Sequence, residues 1–150
     1  QEVMSAYRHV TTHGSSFSAT SRYSFKKDEH WYFELMQYAL QQLGIEYTLV
    51  SRHKLSDVLC YNEITASVMD AHTLIVNCTP LGMLPDIDSL PPIPYEYISD
   101  RHLLYDCVYN PACTAFLSKG KAHGARIING LQMLYAQADI AWEIWNNKIK

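Results

Sequence analysis

The chain has no apolar run approaching roughly 18 residues, which excludes a membrane-spanning helix. Its first residues also lack the apolar core of a signal peptide. It has no basic excess. Twelve Lys and Arg stand against 15 Asp and Glu, a net charge of −3, so the electrostatic footprint of a nucleic-acid binder is missing. The four cysteines lack a pairing pattern: Cys60, Cys78, Cys107 and Cys113 form no C-x-x-C motif. A disulfide framework is not expected, and a reduced, cytoplasmic protein is. Asn77-Cys78-Thr79 has the form of a glycosylation acceptor, which carries no weight without an export signal. Leu and Ile are absent from residues 1–27, although the chain contains 26 of them. That stretch holds nine Ser or Thr and two His instead. It lacks the aliphatic surface that offsets ordering entropy, so a weakly structured leader is expected over 1–27.

What is present reads as a globular domain. The length of 150 residues suits one domain, and 48% hydrophobic residues argue against wholesale disorder. Apolar residues Tyr32, Leu35, Met36, Ala39, Leu40 and Leu43 recur at spacings of three and four, which predicts a helix over 29–43. Asp28 suits its N-cap and Gly44 its C′ position. A strand over 45–50 and a short helix over 64–70 follow. The run 73–78 is continuously apolar, as in a strand buried on both faces of a parallel sheet. Residues 79–94 hold five of the six prolines and form a loop. A strand is expected over 102–107, a helix over 111–122 opened by Pro111, a strand over 125–128 and a helix over 131–145. Leu134, Ala138, Ala141 and Trp145 define the apolar face of that last helix. Met133 and Trp142 are expected in the core. The alternation predicts an α/β, doubly wound, three-layer αβα fold on a mostly parallel sheet, Rossmann-like in arrangement.

Ligands of such sheets bind beyond the C-terminal ends of the strands, so each strand exit is a candidate site. The first exit reads Ser51-Arg52-His53-Lys54. An acid here would hold the ribose 2′-hydroxyl of NAD, whereas a cationic cluster accommodates the 2′-phosphate of NADP. Arg52 can grip a phosphate with two parallel bonds. A solvated basic turn is the plainer alternative. The next exit reads Asn77-Cys78-Thr79-Pro80-Leu81-Gly82-Met83. Asn77 and Thr79 offer donors and acceptors there, and Gly82 permits close backbone approach. The third exit, Asp106-Cys107-Val108-Tyr109-Asn110-Pro111, offers the Tyr109 phenol, although this chain has 11 Tyr and a packing role is equally open. At the last exit Gly130 joins strand to helix, and Gln137 shares its face because seven residues are about two turns. His9 and His13 have helical metal-ligand spacing but no third ligand nearby, so no metal site is expected.

Taken together, Asn77 to Met83, Asp106 to Pro111 with Thr114, and Gly130-Leu131-Gln132-Met133-Leu134 with Gln137 resemble the C-terminal half of the shikimate dehydrogenases. That family shows Asn-x-Thr-(Pro/Ser)-x-Gly-Met, then Asp-x-x-Tyr-x-Pro with a following Thr, then a Gly before Met-Leu and a Gln. The resemblance covers about residues 37–145. It implies NADPH-dependent reduction of 3-dehydroshikimate to shikimate, on the route to aromatic amino acids through chorismate. It further implies that Ser51, Arg52 and His53 read the 2′-phosphate, although Asn is usual at the first of these. Asn77, Thr79, Gly82 and Met83 are implied to line the cofactor site, and the backbones of Cys107 and Gly130 to meet the nicotinamide. Tyr109 and Gln137 are implied to touch shikimate. The partners implied are the small-molecule substrate and, in the full-length family, a second subunit of a homodimer. A quinate-using relative would share these motifs.

Two departures set expectations. The family's catalytic Lys and Asp belong to an N-terminal substrate domain, and no residue here maps onto them. Hydride transfer needs a positioned acid for the forming alkoxide, so the isolated chain is expected to be inactive. The family's glycine turn is also missing: residues 28–43 contain no glycine, and His30-Trp31-Tyr32-Phe33-Glu34-Leu35-Met36 stands in its place. Codons for Glu29 to Phe33, read one frame over from the last base of the Glu codon, encode Ala or Thr, Leu, Val, and Leu or Phe, an apolar strand. An out-of-frame leader over 1–36 is therefore one reading. The organisation expected is an atypical leader, 1–27, and a partial NADP-binding domain, 28–150, that lacks the central first strand and is poorly stable for that reason. The alternative to an enzyme is a non-catalytic fragment or nucleotide-binding remnant.

Overall fold

The computed structural model describes residues 31–54 and 56–146, with side chains from residue 36 onward. The leader 1–27, the Asp28 cap and the His9/His13 pair lie outside the described residues. The chain divides into two compact units, one gathering the described residues up to Glu46 and those from Gln132, the other Tyr47–Leu131.

The first unit carries two helices. Helix α1, Trp31–Gln42, ends as its glycine predicts. Gly44 adopts φ +64, its N–H donates to Gln41 O at 3.1 Å, and the Ile45 N–H donates to Leu40 O at 2.9 Å. This pair of bonds satisfies carbonyls that the last helical turn leaves open. The later helix of this unit spans Leu131–Asn146. Its covered stripe matches the expected one in part. Leu134 and Ala141 are half-buried as expected, whereas Ala138 is exposed and Trp145 is 77% exposed. Met133, Gln137, Ile140 and Ile144 extend the covered face, the two isoleucines offering more aliphatic surface than the alanines. Trp142, expected in the core, is 66% exposed, while Met133 is half-buried.

The second unit holds the sheets. Strand β1, Leu49–Ser51, pairs in parallel with β2, Val58–Cys60. A short 3-10 turn, Tyr61–Glu63, leads to helix α2, Ala66–Ala71, whose cap is the Thr65 hydroxyl accepting from Val68 N–H. Strand β3, Leu74–Asn77, pairs in parallel with β4, Leu103–Asp106, which pairs in parallel with β5, Arg126–Ile128. A second 3-10 turn, Tyr95–Tyr97, lies in the proline-rich connection. Helix α3, Ala115–Ala122, bridges β4 and β5, and the Leu131–Asn146 helix is named α4.

The fold class is the expected one: parallel strands alternating with helices. The sheet is divided into pieces of two and three strands, ordered β1-β2 and β3-β4-β5. In the doubly wound order 3-2-1-4-5-6, removing the first strand leaves two such pieces. Several elements differ from expectation. Strand β2 was not foreseen, since Val58-Leu59-Cys60 is too short to show a period. The expected helix from Pro111 begins only at Ala115, because the Thr114 hydroxyl accepts from Leu117 N–H and sets the start there. Strand β3 was expected to be buried on both faces. Its Leu74 is exposed and only Asn77 is fully covered, in keeping with its place at the sheet edge.

The core lies between β4 and the elements packed on it. Leu104, Phe116, Leu117, Met69, Ile98 and Ala125 form one buried cluster. The Phe116 ring meets Tyr95 edge-on, centroids 6.4 Å apart. Burying side chains such as Phe116 and Leu104 contributes about 1.5–3 kcal/mol each. A polar strut supports the same core: fully buried His102 accepts from Ser99 N–H at Nδ1, 3.0 Å, and donates from Nε2 to Met69 O, 3.1 Å.

Candidate functional site

Parallel strands β3, β4 and β5 deliver their C-terminal ends to one edge of the sheet, and the polar side chains there are wired together. Asp106, at the end of β4, is fully buried and is the hub. Its Oδ1 accepts from Asn77 Nδ2 at 3.0 Å and from Val108 N–H at 3.0 Å. Its Oδ2 accepts from Thr114 Oγ1 at 2.5 Å. Burial raises the Asp106 carboxyl above its ordinary value, and the bonds from Thr114, Val108 and Asn77 partly oppose that rise. Asn77 faces two ways. While donating to Asp106, its Oδ1 accepts from Thr79 N–H at 3.0 Å and Thr79 Oγ1 at 2.6 Å. Thr79 Oγ1 in turn accepts from Leu81 N–H at 3.3 Å. The Asn-x-Thr spacing is thus a turn-forming device that fixes the exit of β3.

Two glycines allow close approach. Gly82 holds φ +89, and a Cβ there would meet Thr114 Cβ at 3.1 Å; its N–H donates to Ser89 Oγ at 2.9 Å. Gly130 is tighter. A Cβ would fall 2.1 Å from Cys107 O, and its N–H donates to Val108 O at 3.1 Å. Asn129 steadies the same joint, donating to Ala112 O at 2.8 Å and accepting from Leu131 N–H at 3.2 Å. Cys78, Cys107 and Gly130 therefore stand in a row across the three exits. Tyr109 lies just beyond and is 43% exposed. Met83 is also exposed.

The exit of β1 carries the basic cluster. The Ser51 hydroxyl accepts from His53 N–H at 3.3 Å, shaping the turn. Arg52 and His53 are exposed. Lys54 is committed elsewhere, with Nζ 2.6 Å from both carboxylate oxygens of Glu63. Glu63 also accepts from Cys60 N–H, and these two bonds hold its carboxyl below the ordinary value. Burial raises the Tyr61 phenol, and the Arg52 charge opposes it.

The structure thus brings Asn77, Thr79, Gly82, Cys107 and Gly130 to one sheet edge and keeps Ser51, Arg52 and His53 together at another exit of the same unit. Gln137 lies on α4 in the other unit, where its Nε2 is buried without a hydrogen-bond partner. The expectation missed Asp106, Ser89 and Asn129. Asp106 was visible as the first residue of its motif, but its role as hub depends on contacts far along the chain. Among the described residues, no group of three His, Cys, Asp or Glu could hold a metal, and no helix is long and apolar enough to cross a membrane.

No family model matches the chain. The NADP-dependent shikimate dehydrogenase of Desulforamulus reducens is 39% identical over 84 residues, 56% of this chain and 29% of that protein. That of Ignicoccus hospitalis is 46% identical over 74 residues, 49% of this chain and 27% of that protein. The chain therefore spans less than a third of the length of these curated relatives. Among solved structures, the shikimate dehydrogenase of Thermus thermophilus in complex with NADP(H) and shikimate matches with a TM-score of 0.62 and 27% identity, over 75% of this chain and 44% of that one. In sequence and in fold, this chain is similar to one part of the shikimate dehydrogenases named above.

Proposed function

We propose that this chain is the nucleotide-binding part of an NADP-dependent shikimate dehydrogenase, completed in the working enzyme by a substrate domain that the described residues do not supply. The observation that carries the reading is the row of strand exits, where Gly130 presses against the Cys107 carbonyl and Asn77, Asp106 and Thr114 fix the surrounding turns. In this reading Ser51, Arg52 and His53 hold the 2′-phosphate. Asn77, Thr79, Gly82 and Met83 line the path of the dinucleotide, and the backbones of Cys107 and Gly130 meet the nicotinamide. Tyr109 and Gln137 are assigned to the substrate, shikimate or 3-dehydroshikimate. The full-length protein is placed in the cytoplasm, with a homodimer as its assembly.

The residues at the two ends fit the dinucleotide. Arg52 is an exposed cation with exposed His53 beside it, and the Gly130 joint admits a close neighbour. The middle does not fit: residues 28–43 have no glycine, so the backbone N–H cradle that pyrophosphate needs at a helix start is not encoded there. No transfer step is therefore assigned to the chain alone. A non-catalytic, nucleotide-binding remnant is the second reading, favoured by that glycine-free stretch and by the division of the sheet between β1 and β3.

Fluorescence titration with NADPH and NADH tests the proposal. Binding weaker than about 100 μM, with NADPH preferred and the preference abolished in Arg52→Ala, is expected. Equal binding of the two nucleotides, or a preference untouched by that substitution, would overturn it.

A further inference from the structure

Two of the four cysteines meet at the strand exits. Cys78 and Cys107 each lie one residue past the paired positions Asn77 and Asp106, so they continue the parallel register of β3 and β4. The backbone bond from Cys107 N–H to Asn77 O, 3.0 Å, keeps that register at the exit. Neighbouring strands run about 4.8 Å apart, within the Cα separation that a disulfide spans. The side chains emerge on the same face, and the two sulfur atoms are 3.9 Å apart, with the Cys107 thiol donating to Cys78 Sγ. Both are free thiols. Cys107 is buried and Cys78 is half-buried, so a small oxidant reaches the second more readily. The Cys107 thiol stabilises the Cys78 thiolate, which lowers the Cys78 thiol and raises that of Cys107. The other two cysteines differ: Cys113 is exposed and Cys60 sits on β2.

We propose that Cys78 and Cys107 form a redox-active dithiol that a peroxide closes to an intramolecular disulfide across the exits of β3 and β4. The Cys78 thiolate attacks one peroxide oxygen and breaks the O–O bond. Cys78 becomes a sulfenic acid, and the departing hydroxide takes a proton to leave as water. The Cys107 thiol then gives up its proton and attacks the Cys78 sulfur, expelling a second water. Two thiols are oxidised by two electrons in all, and one hydrogen peroxide is reduced to two waters. A thiol reductant reverses the bond. The consequence for nucleotide binding rests on the proposed function: the bond would lock the segment assigned to the path of the dinucleotide to the one assigned to the nicotinamide.

The test uses the full, reduced chain exposed to a few equivalents of hydrogen peroxide, alkylated and mapped as peptides without reduction. The expected product is a peptide pair linked through Cys78 and Cys107, lighter by two hydrogens, formed equally at low and high protein concentration. It should form undiminished in a Cys60→Ser/Cys113→Ser chain. In Cys107→Ser, a sulfenic-acid trap should label Cys78. The proposal is overturned if Cys78 and Cys107 are both recovered as alkylated thiols while Cys113 oxidises. It is equally overturned if the link forms only between chains, or if the trap labels Cys113 and never Cys78. These readouts are independent of NADPH, so a failure of the proposed function leaves them intact.

Discussion

Replacing Asp106 tests whether the strand exits are held by one buried hub. Asp106→Ala removes the acceptor of three donors at once: Asn77 Nδ2, Val108 N–H and Thr114 Oγ1. Asn77, Val108 and Thr114 are themselves buried, so water cannot readily replace the lost partner. Each stranded buried donor costs about 1–3 kcal/mol. Neighbouring losses are not additive, and deleting a buried carboxylate recovers some desolvation, so the net cost should be about 3–4 kcal/mol. Asp106→Asn should behave differently. Two of the three bonds end on Oδ1, which an amide oxygen can keep. The amide nitrogen would then face Thr114 Oγ1, a hydroxyl that can turn round and accept. That exchange should cost less than about 1.5 kcal/mol. Urea unfolding of the three proteins reads both numbers from shifts in midpoint at constant slope. An alanine cost under 1 kcal/mol, or an asparagine variant as damaged as the alanine one, would refute the hub.

Gly130→Ala should destabilise by about 3 kcal/mol, because its new methyl group falls on the Cys107 carbonyl and backbone must move; a variant as stable as the parent in the same urea assay would contradict this. Tyr105 gives a pH test. Burial, then the neighbouring Cys107, Cys78 and Asp106 groups, push its phenol from 10.0 up to about 12. A group whose folded value is raised supplies stability that is full below its unfolded value and is lost as pH rises through the folded one. Stability in alkali should therefore fall from about pH 10 to 12 in the parent and less steeply in Tyr105→Phe; identical slopes would count against it. The coding DNA supplies a further check: one frame change upstream of residue 37 should restore an apolar strand and the domain upstream of it, and failure to find one removes the out-of-frame reading.

The parts of the fold legible in the sequence were those fixed by local chemistry. Gly44 ends α1 because only a left-handed residue can close that turn, and such a position announces itself in one letter. The start of α2 was not legible in this way: the helix expected over 64–70 runs through Thr65, whose hydroxyl instead caps a helix beginning at Ala66. Strand β2 gave no signal, since three residues show no period and the strand exists only through its pairing with β1. The covered stripe of α4 was legible at Leu134 and Ala141 but not at its aromatic residues, since Trp142 and Trp145 look apolar in a pattern yet remain outside. The site was legible as motifs, since Asn77 and Thr79 act on each other across two residues. The Asp106 hub was not, because Asn77 and Thr114 reach it from different segments and only the register of β3 on β4 brings them together.

Backbone amide shift mapping with NADPH tests the central proposal most directly, that the strand exits of this chain hold the two ends of a dinucleotide. At millimolar nucleotide, the largest shifts should fall on two groups: Arg52 and His53, and the exit row formed by Cys78, Thr79, Gly82, Cys107 and Gly130. NADH should spare the first group. Shifts confined to α4 and its exposed Trp142 and Trp145, or none at saturating NADPH, would contradict the account.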